Sequence, residues 1–170
     1  EKDSDRTLEG AIFGLFAKDD IKSETTGKVL IEADEIIELK STDEEGKITF
    51  VADLPIGATY YVKELYAPDG FVTNDEGKEF TFEYAGEDQP TVTYDFTFDN
   101  QPTVVEFTKS SLTTGKELPG CKLKVVDADG NIVDEWTSGK EAHVIRELTV
   151  GKEYTLVETK PTDGYVTAES

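Results

Sequence analysis

Residues 60–71, with the sequence YYVKELYAPDGF, recur at residues 154–165 as YTLVETKPTDGY. Each copy is typical of a β-strand followed by a turn, with a tyrosine, an aliphatic residue and a glutamate at alternate positions. Because strand side chains point alternately to opposite faces, these three residues share one face of the strand. If that face lies in the core, each copy buries a carboxyl group, Glu64 in the first and Glu158 in the second. An ionised carboxylate is costly to bury alone, so we expect each glutamate to be neutral or matched by a partner.

The repeat extends beyond this phrase. Residues 8–15 (LEGAIFGL) align with residues 118–125 (LPGCKLKV), and residues 54–57 (LPIG) align with residues 148–151 (LTVG). The first pair is offset by 110 positions (118 − 8) and the second by 94 (148 − 54), so the first copy is 16 residues longer between these landmarks. Such internal similarity predicts two related domains in tandem.

The domain boundary is expected near Gln101 and Pro102, which gives domains of residues 1–101 and 102–170. Most of the additional residues of the first domain must lie within residues 18–41, a polar stretch. We interpret this stretch as an elaborated loop with an additional strand from Glu35 to Lys40.

The two copies end differently. After Gly70 the first copy continues through two more alternating apolar runs, residues 79–84 and 91–98, whereas only six residues follow Gly164. We therefore expect the second domain to lack its closing strand. Because the chain does not begin with methionine, we also interpret it as a piece of a longer protein.

Short runs rich in Val, Ile, Thr, Tyr and Phe make up most of the chain, and turn-forming segments separate them. Examples of these turns are residues 43–46, 127–131 and 137–139, in which glycine or asparagine can adopt positive φ. No long window has convincing helical periodicity. The predicted fold class is all-β, with two tandem immunoglobulin-like β-sandwiches.

Composition excludes several kinds of partner and site. The net charge of −20, from 37 acidic and 17 basic residues, argues against nucleic acid or an anionic membrane as partner. No apolar run is long enough to predict membrane insertion. The single cysteine excludes an internal disulfide, and the single histidine, His143, gives no reason to expect a metal or another cofactor. Cys121 takes the place of Ala11 in the repeat, so we expect a small buried packing residue.

Four segments together resemble the CnaB or SpaA-type (B-type repeat) domains of Gram-positive surface adhesins and pilins. They are the glutamate phrase, VEFTK at residues 105–109, TGKELPG at residues 114–120 and YDFTFDN at residues 94–100. The resemblance covers essentially the whole chain and implies a prealbumin-like sandwich. It also implies a spontaneous amide (isopeptide) bond between a lysine of the first strand and an asparagine or aspartate of the last strand, assisted by an acidic residue.

The resemblance assigns these roles to particular residues. In the first domain it implies a cross-link between Lys2 and Asn100, assisted by Glu64. In the second domain Lys109 and Glu158 are the matching lysine and acid, and no asparagine or aspartate follows Asp163 to serve as the acceptor. Alternation with the apolar residues of the same runs supports a core-facing position for Asn100 and for Lys109. Only one residue precedes Lys2, so alternation cannot test its direction.

An apolar environment suits this chemistry because it favours the neutral forms of both lysine and glutamic acid. A neutral lysine is a nucleophile. A neutral Glu64 would donate a hydrogen bond to the amide oxygen of Asn100 and would carry protons to the departing ammonia. Strands held in place contribute proximity, worth about 7–11 kcal/mol in ideal geometry. The alternative is that these lysines and glutamates are surface residues or ordinary ion pairs.

We therefore expect a structural segment of a secreted, extracellular, cell-wall-anchored adhesin or pilin, with its anchor signal outside this chain. It would turn over no substrate, so it is not an enzyme beyond a single autocatalytic step. Its partners would be adjoining domains of a longer surface protein. Two alternatives remain open: an adhesin that binds a host or matrix ligand through residues 18–41, and a ligase-like module that accepts an external closing-strand peptide at Lys109.

Overall fold

The computed structural model describes residues 7–83 and 92–167, and within these ranges the chain forms strands and no helix. The predicted all-β class is confirmed. The strands are β1 Ile12–Ala17, β2 Ile21–Lys22, β3 Val29–Ile31, β4 Ile36–Ser41, β5 Thr59–Tyr66, β6 Phe71–Val72, β7 Gly77–Thr81, β8 Gln101–Pro102, β9 Val104–Phe107, β10 Lys122–Asp127, β11 Ile132–Thr137, β12 His143–Arg146 and β13 Tyr154–Lys160.

Two compact units divide the chain. The first comprises Glu1–Pro68 with Val72–Gln101, and the second comprises Asp69–Phe71 with Pro102–Ser170. Within the described residues, no helix is both long and apolar enough to cross a membrane.

The first unit contains an antiparallel sheet in the order β4-β1-β5-β7. Its core face carries the apolar residues of β1 and alternate residues of β5, because a period of two directs those side chains to one side. The additional strand predicted from Glu35 to Lys40 is confirmed as β4, one residue further along the chain. The buried cluster consists of Ala11, Phe13, Leu15, Ala17, Ile21, Tyr60 and Val62.

The segment that precedes Asn100 covers this core without joining the sheet as an assigned strand. Exposed and partly buried side chains alternate along residues 95–100, and Phe96 and Phe98 pack against the buried cluster. The ring of Phe98 lies 4.9 Å from that of Phe13, and the ring of Phe96 lies 5.8 Å from that of Phe80. Aromatic packing therefore holds this segment on the core.

The second unit contains the antiparallel sheet β11-β10-β13 and the antiparallel pair β12-β9. A row of rings connects the two: Trp136 of β11 lies 5.4 Å from Phe107 of β9 and stacks on His143 of β12 at 4.3 Å. His143 Nε2 also lies 2.8 Å from the carboxylate of Asp134 in β11.

One edge of the second unit differs from its counterpart in the first. Strand β5 pairs with β1 and β7, whereas β13 pairs only with β10 among the described strands. Leu156 of β13 is 41% exposed, while Val62, at the matching register position of β5, is 5% exposed. The face of β13 that corresponds to the core face of β5 is therefore partly uncovered within the described part of the chain.

Candidate functional site

The register of the two sheets places the repeated glutamates identically. Glu64 of β5 lies opposite Phe13 of β1, and Glu158 of β13 lies opposite Leu123 of β10. In each copy an irregularity in the pairing falls immediately before that position on β1 or β10. Glu64 is 0% exposed and Glu158 is also buried, so the predicted burial of both carboxyl groups is confirmed.

In the first unit the structure brings Glu64 and Asn100 together. Asn100 Nδ2 donates a hydrogen bond to Glu64 Oε2 at 2.6 Å, across 36 positions of sequence. The same nitrogen donates to the carbonyl of Val72 at 3.0 Å. We expected Glu64 to contact the amide oxygen of Asn100, but the amide nitrogen faces the glutamate because two acceptors converge on it.

The two oxygens of the Glu64 carboxyl group have different surroundings. Oε2 accepts the bond from Asn100 and a second one from the backbone N–H of Asn74, also at 2.6 Å. Oε1 is buried and has no hydrogen-bond partner among the described residues. Lys2, the predicted nucleophile, lies outside the described residues. A buried oxygen without a hydrogen-bond partner is unusual, and it leaves this carboxyl group able to accept one more hydrogen bond.

Asn74 is a member of this site that the sequence did not reveal. Its side-chain nitrogen donates to the backbone carbonyl of Asp99 at 3.0 Å, and its side-chain oxygen accepts from the backbone N–H of Glu76 at 3.0 Å. An asparagine that bonds the backbone two residues later is a common turn element, so a turn could have been predicted here. Its proximity to Glu64 depends on tertiary structure.

In the second unit Lys109 and Glu158 form a close ion pair. Lys109 Nζ lies 2.7 Å from Glu158 Oε2, and the two side chains are 24% and 4% exposed. Lys109 lies two residues after β9, where Phe107 and Lys109 are half-buried and Thr108 is exposed. The predicted inward direction of Lys109 is therefore confirmed, and the structure brings this lysine to the predicted acid.

Cys121 adjoins this ion pair. Its predicted burial is confirmed, with 0% exposure. Burial raises the pKa of the Cys121 thiol, a hydrogen bond with Glu158 raises it further, and the nearby charge of Lys109 lowers it. The sequence predicted a packing residue and did not predict its contact with Glu158, since strand alternation does not show which side chains meet between strands.

A hydroxyl group fixes the start of the central strand in both copies. Thr42 Oγ1 accepts from the N–H of Ala11 at 2.9 Å and donates to the carbonyl of Leu8 at 2.6 Å. Ser138 Oγ makes the corresponding two bonds, accepting from the N–H of Cys121 at 2.9 Å and donating to the carbonyl of Leu118 at 2.6 Å. Both hydroxyl residues are buried, so the two copies position their glutamate sites by the same device.

No group of three or more His, Cys, Asp or Glu side chains that could hold a metal ion occurs within residues 7–83 and 92–167. The side chains that meet at the two sites carry carboxyl, amine, amide and thiol groups.

The fold and the paired sites define a tandem prealbumin-like β-sandwich protein with a buried glutamate in each repeat. The family model for the SpaA prealbumin-like fold domain matches residues 1–99 and again residues 103–170. The chain belongs to this family, and the resemblance and tandem fold predicted from the sequence are confirmed.

Several solved structures are similar to this chain. The Bacillus anthracis TIE protein is 25% identical with a TM-score of 0.51, and the match covers 99% of this chain and 28% of that protein. The shaft pilin SpaA from Lactobacillus rhamnosus GG is 19% identical (TM-score 0.38), with coverage of 95% of this chain and 81% of the pilin. A streptococcal ancillary pilin is 23% identical (TM-score 0.38), with coverage of 96% and 52%.

This chain therefore spans little more than a quarter of the length of the Bacillus anthracis protein. No curated protein sequence matches it. The feature that the family model establishes for this chain is the prealbumin-like fold.

Proposed function

We propose that this chain is a structural stalk segment of a secreted, cell-wall-attached Gram-positive surface protein, stabilised by an internal isopeptide bond between Lys2 and Asn100. Family membership supports the structural role. The observation that carries the chemistry is the hydrogen bond from Asn100 to a fully buried glutamate, Glu64. The chain acts as a spacer between adjoining domains and turns over no substrate.

The reaction needs neither an oxidant nor a cofactor. The neutral amine of Lys2 attacks the side-chain carbonyl carbon of Asn100, a C–N bond forms, and the bond from that carbon to Nδ2 breaks. Glu64 accepts a proton from the attacking nitrogen and delivers a proton to Nδ2, which leaves as ammonia. Glu64 Oε2 already contacts the leaving nitrogen at 2.6 Å, and Oε1 is open to a donor.

A bond between these two residues would join the start of the first domain to its end. Tension applied to the two ends of that domain would then load a covalent bond, and the hydrogen bonds between strands would carry much less of it. This suits a stalk, which must transmit force without unfolding.

Intact mass spectrometry tests the proposal, because each bond formed from an asparagine removes one ammonia. We expect the protein with the original sequence to have a mass lower than its sequence mass by one ammonia. After proteolysis it should give a peptide pair joined between Lys2 and Asn100. Glu64→Gln should retain the full mass, since an amide cannot exchange protons in this way.

A matched control for this variant is Glu38→Gln. Glu38 Oε2 also accepts two backbone N–H groups, from Val51 and Ala52 at 2.8 and 2.9 Å, but Glu38 has no bond to Asn100. It should lose ammonia normally. Full sequence mass in the unmodified protein would overturn the proposal.

A second candidate function rests on the uncovered edge of the second unit. Lys109 and Glu158 are paired there, and Leu156 beside them is 41% exposed. An edge strand next to an uncovered apolar face can accept another strand. On this candidate, an external closing-strand peptide occupies the face, and the amine of Lys109 forms an amide with its asparagine or aspartate side chain, releasing ammonia or water respectively.

A synthetic peptide with the sequence of residues 92–100 (VTYDFTFDN) tests this candidate. We expect an adduct that survives a denaturing gel and that Lys109→Ala abolishes. Lys124→Ala, which removes another lysine of the same unit, serves as the control and should leave the adduct in place. Absence of an adduct with both this peptide and its aspartate-ending version would exclude ligation of strands of this pattern.

A further inference from the structure

Asn74 connects the two halves of the first site. Its backbone N–H donates to Glu64 Oε2 at 2.6 Å, and its side-chain nitrogen donates to the carbonyl of Asp99 at 3.0 Å. Asp99 immediately precedes Asn100, whose Nδ2 bonds to the same oxygen of Glu64. One residue thus holds both the acid and the backbone beside the acceptor.

We infer that Asn74 is a positioning residue for the isopeptide reaction, and that its side-chain amide sets the place of Asn100 relative to Glu64. This inference rests on the proposed function. Asn74 does not touch the reacting carbon. It acts through the carbonyl of Asp99 and through the turn that it closes with the N–H of Glu76 at 3.0 Å.

The need for such a residue follows from how the end of the closing segment is held. Residues 92–100 are not part of an assigned strand, so no continuous ladder of backbone hydrogen bonds fixes them in register. Phe96 and Phe98 fix this segment by ring packing on the core, whereas Asp99 and Asn100 lie beyond the rings. The pairing of β8 with β6 begins only at Gln101, so at Asp99 and Asn100 themselves the bonds from Asn74 to Asp99 and from Asn100 to Val72 and Glu64 hold the chain.

The orientation of Glu64 also depends on this turn. Since Oε2 takes both N–H groups, Oε1 is the oxygen left for a third partner, and it is buried. The backbone N–H of Asn74 therefore helps to direct one oxygen toward the leaving nitrogen and leaves the other able to accept a further hydrogen bond. Reactions between held groups are sensitive to small displacements, and a shift of about 1 Å can slow them about 100-fold.

Two substitutions separate the contacts of the side chain. Asn74→Asp keeps the acceptor for Glu76 but replaces the donor that bonds Asp99, and Asn74→Ala removes both contacts. Thr73→Ala is the matched control. Thr73 Oγ1 accepts from the N–H of Ala67 at 3.2 Å, so the variant loses a hydrogen bond of the same segment without touching the acceptor.

The experiment uses the full chain. Cell-free synthesis is stopped, samples are quenched in acid at intervals, and the fraction that has lost ammonia is read by intact mass across a range of pH. We expect Asn74→Asp and Asn74→Ala to react roughly 10-fold to 100-fold more slowly at every pH. The pH profile of Asn74→Ala should keep its midpoint, because this variant adds no charge beside Glu64. Thr73→Ala should react at the unmodified rate.

Stability is measured separately with Glu64→Gln present, so that no bond forms in any variant. A positioning role predicts similar thermal unfolding with and without Asn74→Asp in this background. If the protein with the original sequence loses ammonia and the Asn74→Asp variant loses it at the same rate, this inference is overturned and the proposed function is not. Rates that fall only in proportion to lost stability would also overturn it. An unmodified chain that never loses ammonia would overturn the proposed function together with it.

Discussion

The uncovered edge of the second unit makes a quantitative prediction about two leucines. Leu123 of β10 is 4% exposed and Leu156 of the neighbouring strand β13 is 41% exposed. The same change, leucine to alanine, therefore removes a fully packed side chain in one case and a partly solvated one in the other. Both residues lie in the same sheet, so the comparison is within one unit.

The expected magnitudes follow from burial. Replacing a buried leucine by alanine lowers the free energy of unfolding by about 2–5 kcal/mol, because apolar contacts are lost and a cavity remains. We expect Leu123→Ala to fall in this range. Leu156 buries less area and borders solvent, so its truncation leaves no closed cavity. Leu156→Ala should therefore lower the free energy of unfolding by only about 1 kcal/mol.

Native-state hydrogen exchange of the full chain, read by mass spectrometry on peptides from β10 and β13, measures both values, because slowly exchanging amides report the free energy of opening. Equal losses of protection for Leu123→Ala and Leu156→Ala would refute the reasoning. That result would mean that the face of β13 is covered in solution as fully as the face of β5. A closing-strand peptide should move the effect of Leu156→Ala toward that of Leu123→Ala.

Three further predictions concern single side chains. Cys121→Ala should preserve the fold and the proposed cross-link of the first domain, and it should lower the free energy of unfolding in urea by about 1 kcal/mol. In the unsubstituted protein the Cys121 thiol should label slowly, because it is buried and burial raises its pKa, and rapid labelling of the native protein would contradict this. Gly14→Ala should lower stability by about 1–3 kcal/mol, since the added carbon would lie 2.5 Å from the ring of Phe16, and Phe16→Leu in the same chain should recover part of the loss. Burial, with a hydrogen bond to Asp34, raises the pKa of Tyr61 to about 12, above its unfolded value of about 10, so its contribution to stability is complete below pH 10 and is lost as pH rises through 12. Tyr61→Phe should remove a phenolate absorbance step near pH 12, and a step that persists unchanged would show that another tyrosine produces it.

The sequence by itself determined which strand face enters the core and which acids accompany it. Strand alternation is a local property, so the repeated pattern of tyrosine, aliphatic residue and glutamate predicted the burial of Glu64 and Glu158 without any knowledge of neighbouring strands. The family resemblance added the pairing of each acid with a partner, and the structure brings Asn100 to Glu64 and Lys109 to Glu158.

Contacts between distant parts of the chain were decided only by tertiary structure. Nothing in the sequence marks Asn74 as part of the site, and its place beside Glu64 depends on the hydrogen bonds that it makes to Glu64 and Asp99. The contact of Cys121 with Glu158 and the direction of the Asn100 amide depend on which groups converge from several strands. The exposure of Leu156 depends on which segments pack on its face of β13, and its position along the strand does not show this. A pattern along one strand specifies a face, whereas the partners across that face are specified by the packing of the whole unit.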